Sequence, residues 1–144
     1  MIPLISELAA ARRAAGIQQQ QIAKMLRLGA SAGPSVVSAW ESGGMVPNVG
    51  HVCGYATTVG RRVIVTRGTQ VQGDLLDIVP RLGALRRATG LTQADVAACL
   101  YVTPAAVVSA ERHAGPRTRL TTARQHLGAA GYALALMPIM AATA

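Results

Sequence analysis

Apolar residues recur three and four positions apart through most of the chain, which is typical of amphipathic helices. The same arrangement occurs twice: residues 8–17 (LAAARRAAGI) align with residues 82–91 (LGALRRATGL), and the match continues through both halves. The first copy carries four extra residues within the stretch 29–33 (GASAG). An internal repeat of this kind predicts two similar structural units in one chain.

Glycine, threonine and proline divide each copy into four predicted helices. The first helix stops at Gly16 or Gly90, since glycine is favoured just beyond a helix C-terminus. Thr92 is expected to cap the second helix of the second copy, and Thr103 with Pro104 to start the third. A fourth helix spans about residues 48–59 and 118–130, and it again ends at a glycine in each copy.

A β-prone segment follows the fourth helix in each copy, at residues 61–66 and, more weakly, at 132–137. Residues 67–73 are polar and glycine-rich enough to be a linker, with Asp74 or Asp77 available to cap the next helix. An isolated strand leaves backbone groups unpaired, so we expect the two strands to pair with each other or between chains. The pattern predicts an all-α class with tandem domains at 1–68 and 74–144, each with four to five helices and a short C-terminal β-strand.

Composition favours a helical protein with a polyanionic partner. The chain is 51% hydrophobic but has no Phe and one Trp, and its net charge is +8. Lys24 is the only lysine among fourteen basic residues, and the arginine fork binds phosphate bidentately. A solvated basic surface is the alternative interpretation of this charge.

Other features exclude several classes of protein. No apolar run reaches the 18 residues of a membrane span, and the start lacks a signal-peptide pattern, so we expect a cytoplasmic, nucleoid-associated protein without membrane contact. Cys53 and Cys99 are predicted to be small core residues, and no metal or other cofactor is expected. The scattered histidines form no catalytic constellation, so an enzyme is not expected.

Residues 91–111 (LTQADVAACLYVTPAAVVSAE) and 37–43 (VSAWESG) carry a family pattern. The chain resembles the phage repressor and Cro-like helix-turn-helix family, twice over. The resemblance implies two helix-turn-helix domains, in which the second helix braces a third helix that enters the DNA major groove. It also implies an ion pair between the first and third helices, Arg12 with Glu41 and Arg86 with Glu111. We expect five apolar residues in the core: Leu28, Val37, Trp40, Val102 and Val107.

The resemblance also assigns DNA contacts. The phosphate contacts are expected from Gln19, Gln93, Arg13, Lys24, Arg27, Arg87, Arg112 and Arg117. The base-facing positions are Pro34, Ser35, Ser38, Ala39, Pro104, Ala105, Val108 and Ser109, and Ser42 and Thr103 complete the predicted set. The base-facing residues include no Arg, Asn or Gln, so we expect specificity from DNA shape, half-site spacing or the 29–33 insertion.

The predicted function is a sequence-specific regulator of transcription that binds double-stranded DNA, a repressor of the phage-repressor type. It would act as a homodimer or as an intramolecular pseudo-dimer. The second copy has Ala110 where the first has Trp40, so the alternative for that copy is a packing role. Two other functions stay open: an antitoxin-type autorepressor that binds a toxin, and an adaptor that binds a protein partner through degenerate helix-turn-helix units.

Overall fold

The structure, a computed structural model, describes residues 3–29 and 33–139. The first repeat consists of α1 (Pro3–Ala14), α2 (Gln19–Met25), α3 (Gly33–Ser42), α4 (Val49–Thr58) and β1 (Arg61–Arg67). The strand β2 (Gln70–Asp74) then leads into the second repeat. That repeat consists of α5 (Leu75–Ile78), a 3-10 turn (Val79–Arg81), α6 (Leu82–Ala88), α7 (Gln93–Leu100), α8 (Pro104–Arg112), α9 (Leu120–Ala129) and β3 (Ala133–Pro138).

Capping residues set several of these helix starts, and two of them, Thr92 and Thr103, are the ones that the sequence predicts. The Thr92 hydroxyl accepts a hydrogen bond from the Asp95 N–H (3.0 Å), and the Thr103 hydroxyl accepts one from Ala106 (3.2 Å) ahead of Pro104. Asn48 caps α4 in the same way, accepting from His51 N–H at 2.7 Å. Gly131 ends the last helical turn with φ +89°, a conformation that a residue with a Cβ rarely adopts.

The three strands form one antiparallel sheet in the order β2-β1-β3. The predicted pairing of the two repeat strands is therefore confirmed, and its register is symmetric. Ile64 lies opposite its repeat equivalent Ala135, while Val63 faces Leu136 and Val65 faces Leu134. An antiparallel register centred on a pair of equivalent residues means that a pseudo-two-fold axis relates the repeats.

A second contact between the repeats obeys the same symmetry. The N–H of Val49 donates to Thr118 C=O (2.8 Å), and the N–H of its equivalent Leu120 donates to Pro47 C=O (3.0 Å). Asn48 and Arg119 form an isolated antiparallel bridge between these bonds. The loops before α4 and α9 therefore exchange backbone hydrogen bonds around the pseudo-two-fold axis.

The prediction of an all-α protein made of tandem domains is wrong. The chain is mixed α/β, and its strands form a shared sheet instead of separate appendages. The main core contains Leu8 and Trp40 of the first repeat together with Leu120 and Leu127 of the second. A separate small cluster lies between α7 and α8 and includes Val107. The predicted linker is also wrong, because residues 70–73 belong to β2 and extend the sheet through a turn at 68–69.

Some local predictions also need correction. Val102 is 44% exposed instead of buried, although Val37, Trp40 and Val107 are core residues. Cys99 is exposed and Cys53 is half-buried. Asp74 precedes α5 but makes no side-chain cap, because its carboxylate accepts a hydrogen bond from Arg62 (2.9 Å).

Across the described ranges, no single helix has the length and apolar character needed to cross a membrane. The pair α7 and α8 has a suitable combined composition, but the two helices are bent by 109° at the break between them.

Candidate nucleic-acid interface

The helices α7 and α8 have the geometry of a helix-turn-helix motif. They are joined by residues 101–103 and bent by 109°, within the range of about 90–120° for such motifs. Tyr101 makes the turn with φ 56°, and Arg27, its repeat equivalent at the end of α2, has the same φ. The chain therefore leaves α2 and α7 through a residue in the same left-handed backbone conformation.

The predicted ion pair of the first repeat forms and is buried. Arg12 donates from Nε and Nη2 to the two oxygens of Glu41, both at 2.8 Å, and from Nη1 to the backbone oxygen of Ile17 (2.9 Å). Tyr55 O–H donates to Glu41 at 2.6 Å. Burial raises the pKa of Glu41, but the hydrogen bonds from Arg12, Tyr55 and Gln19 outweigh it, and the net pKa is lowered.

The second repeat forms the same pair with one donor fewer. Arg86 donates to Glu111 at 2.6 and 3.2 Å and to Leu91 C=O at 2.9 Å. His126 occupies the position of Tyr55, and burial lowers its pKa despite the charge of Glu111. The pairs tie α1 to the end of α3 and α6 to the end of α8, so they fix the position of α3 and α8 in each repeat.

Gln19 and Gln93, predicted to contact phosphate, make contacts within the protein. Gln19 Nε2 donates to Glu41 at 3.1 Å, and Gln93 Nε2 donates to Glu111 at 3.2 Å. Each amide thus extends the ion pair to the N-terminus of the second helix. Each side chain is only half-buried, so it can still face a ligand at the surface.

The positions predicted to face DNA bases lie mainly at the surface. Ser35 and Ser38 on α3 are exposed, while Pro34 and Ala39 are half-buried. On α8, the exposed positions are Pro104, Ala105, Val108 and Ser109. Two other predicted contacts, Thr103 and Ser42, make hydrogen bonds to nearby backbone. Thr103 caps α8, and the Ser42 hydroxyl donates to Ala39 C=O at 3.2 Å.

A cleft of about 470 Å³ lies between α2 and α3, and we call it the first cleft. It brings together three predicted DNA contacts, Lys24, Arg27 and Pro34, with Gln20 beside them. Gly29 lines the same cleft and starts the insertion. Residues 30–32 of that insertion lie outside the described residues.

A second cleft, of about 650 Å³, lies between α6, the start of α7 and α8, and we call it the arginine cleft. It brings together four predicted contacts, Arg87, Gln93, Val108 and Arg112. Arg81 also lines it and is a residue that the sequence interpretation missed. The repeat alignment places Arg81 at the position of Glu7, and this reversal of charge is the feature of the sequence that points to Arg81.

Arg13 and Arg117, the remaining predicted contacts, are exposed and line neither cleft. Within the described part of the chain, no group of three or more His, Cys, Asp or Glu side chains is placed to hold a metal ion. The candidate interface is therefore a polar and basic surface built on two symmetry-related helix pairs. Comparison with protein-family models, curated proteins and solved structures finds no match for this chain.

Proposed function

We propose that the protein binds double-stranded DNA and regulates transcription as a repressor of the phage-repressor type. The observation that carries the proposal is the pseudo-two-fold relation between two helix pairs, α2 with α3 and α7 with α8. In each pair the second helix has an exposed face. Homodimeric helix-turn-helix proteins present two such helices to successive major grooves, about one DNA turn apart. Here one polypeptide supplies both, so we propose an intramolecular pseudo-dimer located with DNA in the nucleoid.

The charge of the chain supports the same proposal. With a net charge of +8, duplex binding should release counterions, and affinity should fall steeply as salt rises. The ion pairs at Glu41 and Glu111 take those two carboxylates out of the surface field. We expect the basic side chains beside α3 and α8 to face the polyanion.

Contacts to bases should be few and weak. Ser35 and Ser38 can each offer one hydroxyl, and Ala105 and Val108 can contact a thymine methyl group. None of these can make the bidentate pairs that discriminate bases most strongly. We therefore propose that DNA shape and the spacing of two half-sites contribute most of the specificity.

A charge-insertion experiment tests the proposal. Ser38→Glu places a carboxylate on the exposed face of α3, where it would meet the phosphate-lined groove, and we expect duplex affinity to fall by about tenfold or more. Gln125→Glu makes the same charge change at an exposed position on α9 and serves as the control. Fluorescence anisotropy on duplexes selected from a random library, at 50 and 200 mM salt, measures both variants.

Two outcomes contradict the proposal. The first is that the parent chain binds no duplex, or binds with an affinity that salt does not change. The second is that Ser38→Glu and Gln125→Glu weaken binding equally. In that second case the loss would come from net charge alone and α3 would not face the groove.

A protein-binding adaptor is the second candidate, favoured by the apolar surface of the second repeat. Tyr101 is 97% exposed, Val102 44% and Val108 43%, where the first repeat has Arg27, Leu28 and Ser38. Large exposed apolar side chains often mark protein-binding sites. If the second repeat is an adaptor surface, Tyr101→Ser with Val108→Ser should leave the salt dependence of duplex binding unchanged and abolish binding of a protein partner.

A further inference from the structure

The two repeats differ in charge at the arginine cleft. Arg81, Arg87 and Arg112 line it in the second repeat. Their equivalents in the first repeat are Glu7, Arg13 and Ser42. The formal charge of these three positions is therefore +3 in the second repeat and zero in the first.

The three guanidinium groups are not committed to partners within the protein. Across residues 3–29 and 33–139, none of them makes an ion pair or a side-chain hydrogen bond. The one carboxylate of the cleft, Glu111, is already bonded by Arg86 and Gln93. The cleft thus presents unpaired positive charge beside an amide whose other hydrogen-bonding positions are available.

Groups of this kind match the oxygen atoms of phosphate. Each guanidinium can donate two parallel hydrogen bonds to a phosphate group, and several arginines around one concave surface fix the position of a backbone without selecting a base. Val108 lines the same cleft from the exposed face of α8. A phosphate held in the cleft would therefore lie beside the helix that faces the groove.

We infer that the arginine cleft is a phosphate-binding site that anchors the second repeat to the backbone of duplex DNA, through three arginines whose equivalents in the first repeat carry no net charge. This inference rests on the proposed function. It makes the protein an asymmetric binder. The second half-site is held through its phosphates. A change of base sequence in that half-site should therefore lower duplex affinity less than removal of the three arginines does.

The test is a triple variant, Arg81→Gln with Arg87→Gln and Arg112→Gln, measured on the full chain. The control is Arg61→Gln with Arg67→Gln and Arg124→Gln, which removes the same charge from β1 and α9 without touching either cleft. Duplex affinity is measured from 50 to 200 mM salt, and thermal melting shows that both variants fold. Each phosphate released from the cleft should lower the slope of log affinity against log salt by about 0.9, up to about 2.7 for three.

We expect the cleft variant to lose at least about 0.9 of slope relative to the control. If parent and control bind duplex and the cleft variant has the slope of the control, the inference is overturned and the proposed function stands. If the parent binds no duplex at all, both are overturned. Inorganic phosphate at constant ionic strength is the second probe. Low millimolar phosphate should displace duplex from the parent more readily than from the cleft variant, and equal displacement from both would overturn the assignment of the cleft as a phosphate site.

Discussion

Replacement of Arg86 by alanine should lower the free energy of unfolding of the chain. The side chains of Arg86 and Glu111 are only 10% and 11% exposed, so the variant leaves a carboxylate in a site that water barely reaches. Removing one partner of such a pair costs about 3–5 kcal/mol. We expect the lower end, about 3 kcal/mol, because Gln93 still donates one hydrogen bond to Glu111.

The pH dependence separates a stranded charge from a simple loss of packing. Burial raises the pKa of Glu111, but the hydrogen bonds from Arg86 and Gln93 outweigh it, so the pKa in the folded chain lies below its ordinary value. The stabilisation by the pair is therefore complete above the unfolded pKa of about 4.3 and is lost as pH falls through the folded value. Without Arg86, burial should raise the pKa of Glu111 above its ordinary value, and acid then favours the folded variant. The difference between parent and variant should be largest near pH 7 and should shrink towards pH 4.

Urea unfolding at both pH values measures this difference in free energy. A second variant, Arg86→Met with Glu111→Leu, removes the stranded carboxylate and should recover most of the lost stability, because well-packed apolar pairs often replace buried ion pairs without loss. The reasoning is refuted if Arg86→Ala unfolds like the parent. It is also refuted if the double variant loses as much stability as the single one.

Two further changes have matched controls within the chain. Tyr55→Phe removes the 2.6 Å hydrogen bond to Glu41 and should lower the free energy of unfolding in urea by about 1.5–3 kcal/mol. The control is Tyr132→Phe, whose hydroxyl makes no such bond and which should lower it little. Equal losses in the two variants would refute the role of Tyr55. Gly131→Ala puts a Cβ on a residue with φ +89° and should destabilise the fold by about 1–2 kcal/mol. Gly128→Ala, inside α9 with open space around it, should stabilise the fold by about 0.5–1 kcal/mol. A higher melting temperature for Gly131→Ala than for Gly128→Ala would contradict this.

Much of the local structure follows from residues that act through their neighbours in sequence. Thr92, Thr103 and Pro104 set helix starts that are visible without any tertiary information. The ion pairs of Arg12 and Arg86 were predicted because a resemblance placed them, and spacing alone would not have shown them. These predictions concern either adjacent residues or a recurring arrangement, so a single sequence was sufficient.

The errors concern interactions between distant parts of the chain. Residues 70–73 look like a linker because they are polar, yet β1 offers them an unpaired edge, and backbone pairing overrides their composition. The apparent division into two domains arises from the repeat itself, since the pattern cannot show that Trp40 and Leu127 share one core. The repeat alignment shows a charge difference at Arg81, but it cannot show that folding of α6, α7 and α8 brings this residue to the arginine cleft.

The central claim is that one polypeptide places two symmetry-related helix pairs on one DNA duplex. Hydroxyl-radical footprinting tests it most directly, on a duplex selected by the chain from a random library, with the number of chains per duplex determined by sedimentation. We expect one chain to protect two backbone segments on the same face of the DNA, centred about 10 base pairs apart. Protection of a single segment by one bound chain, or no protection at any salt concentration, would contradict the account.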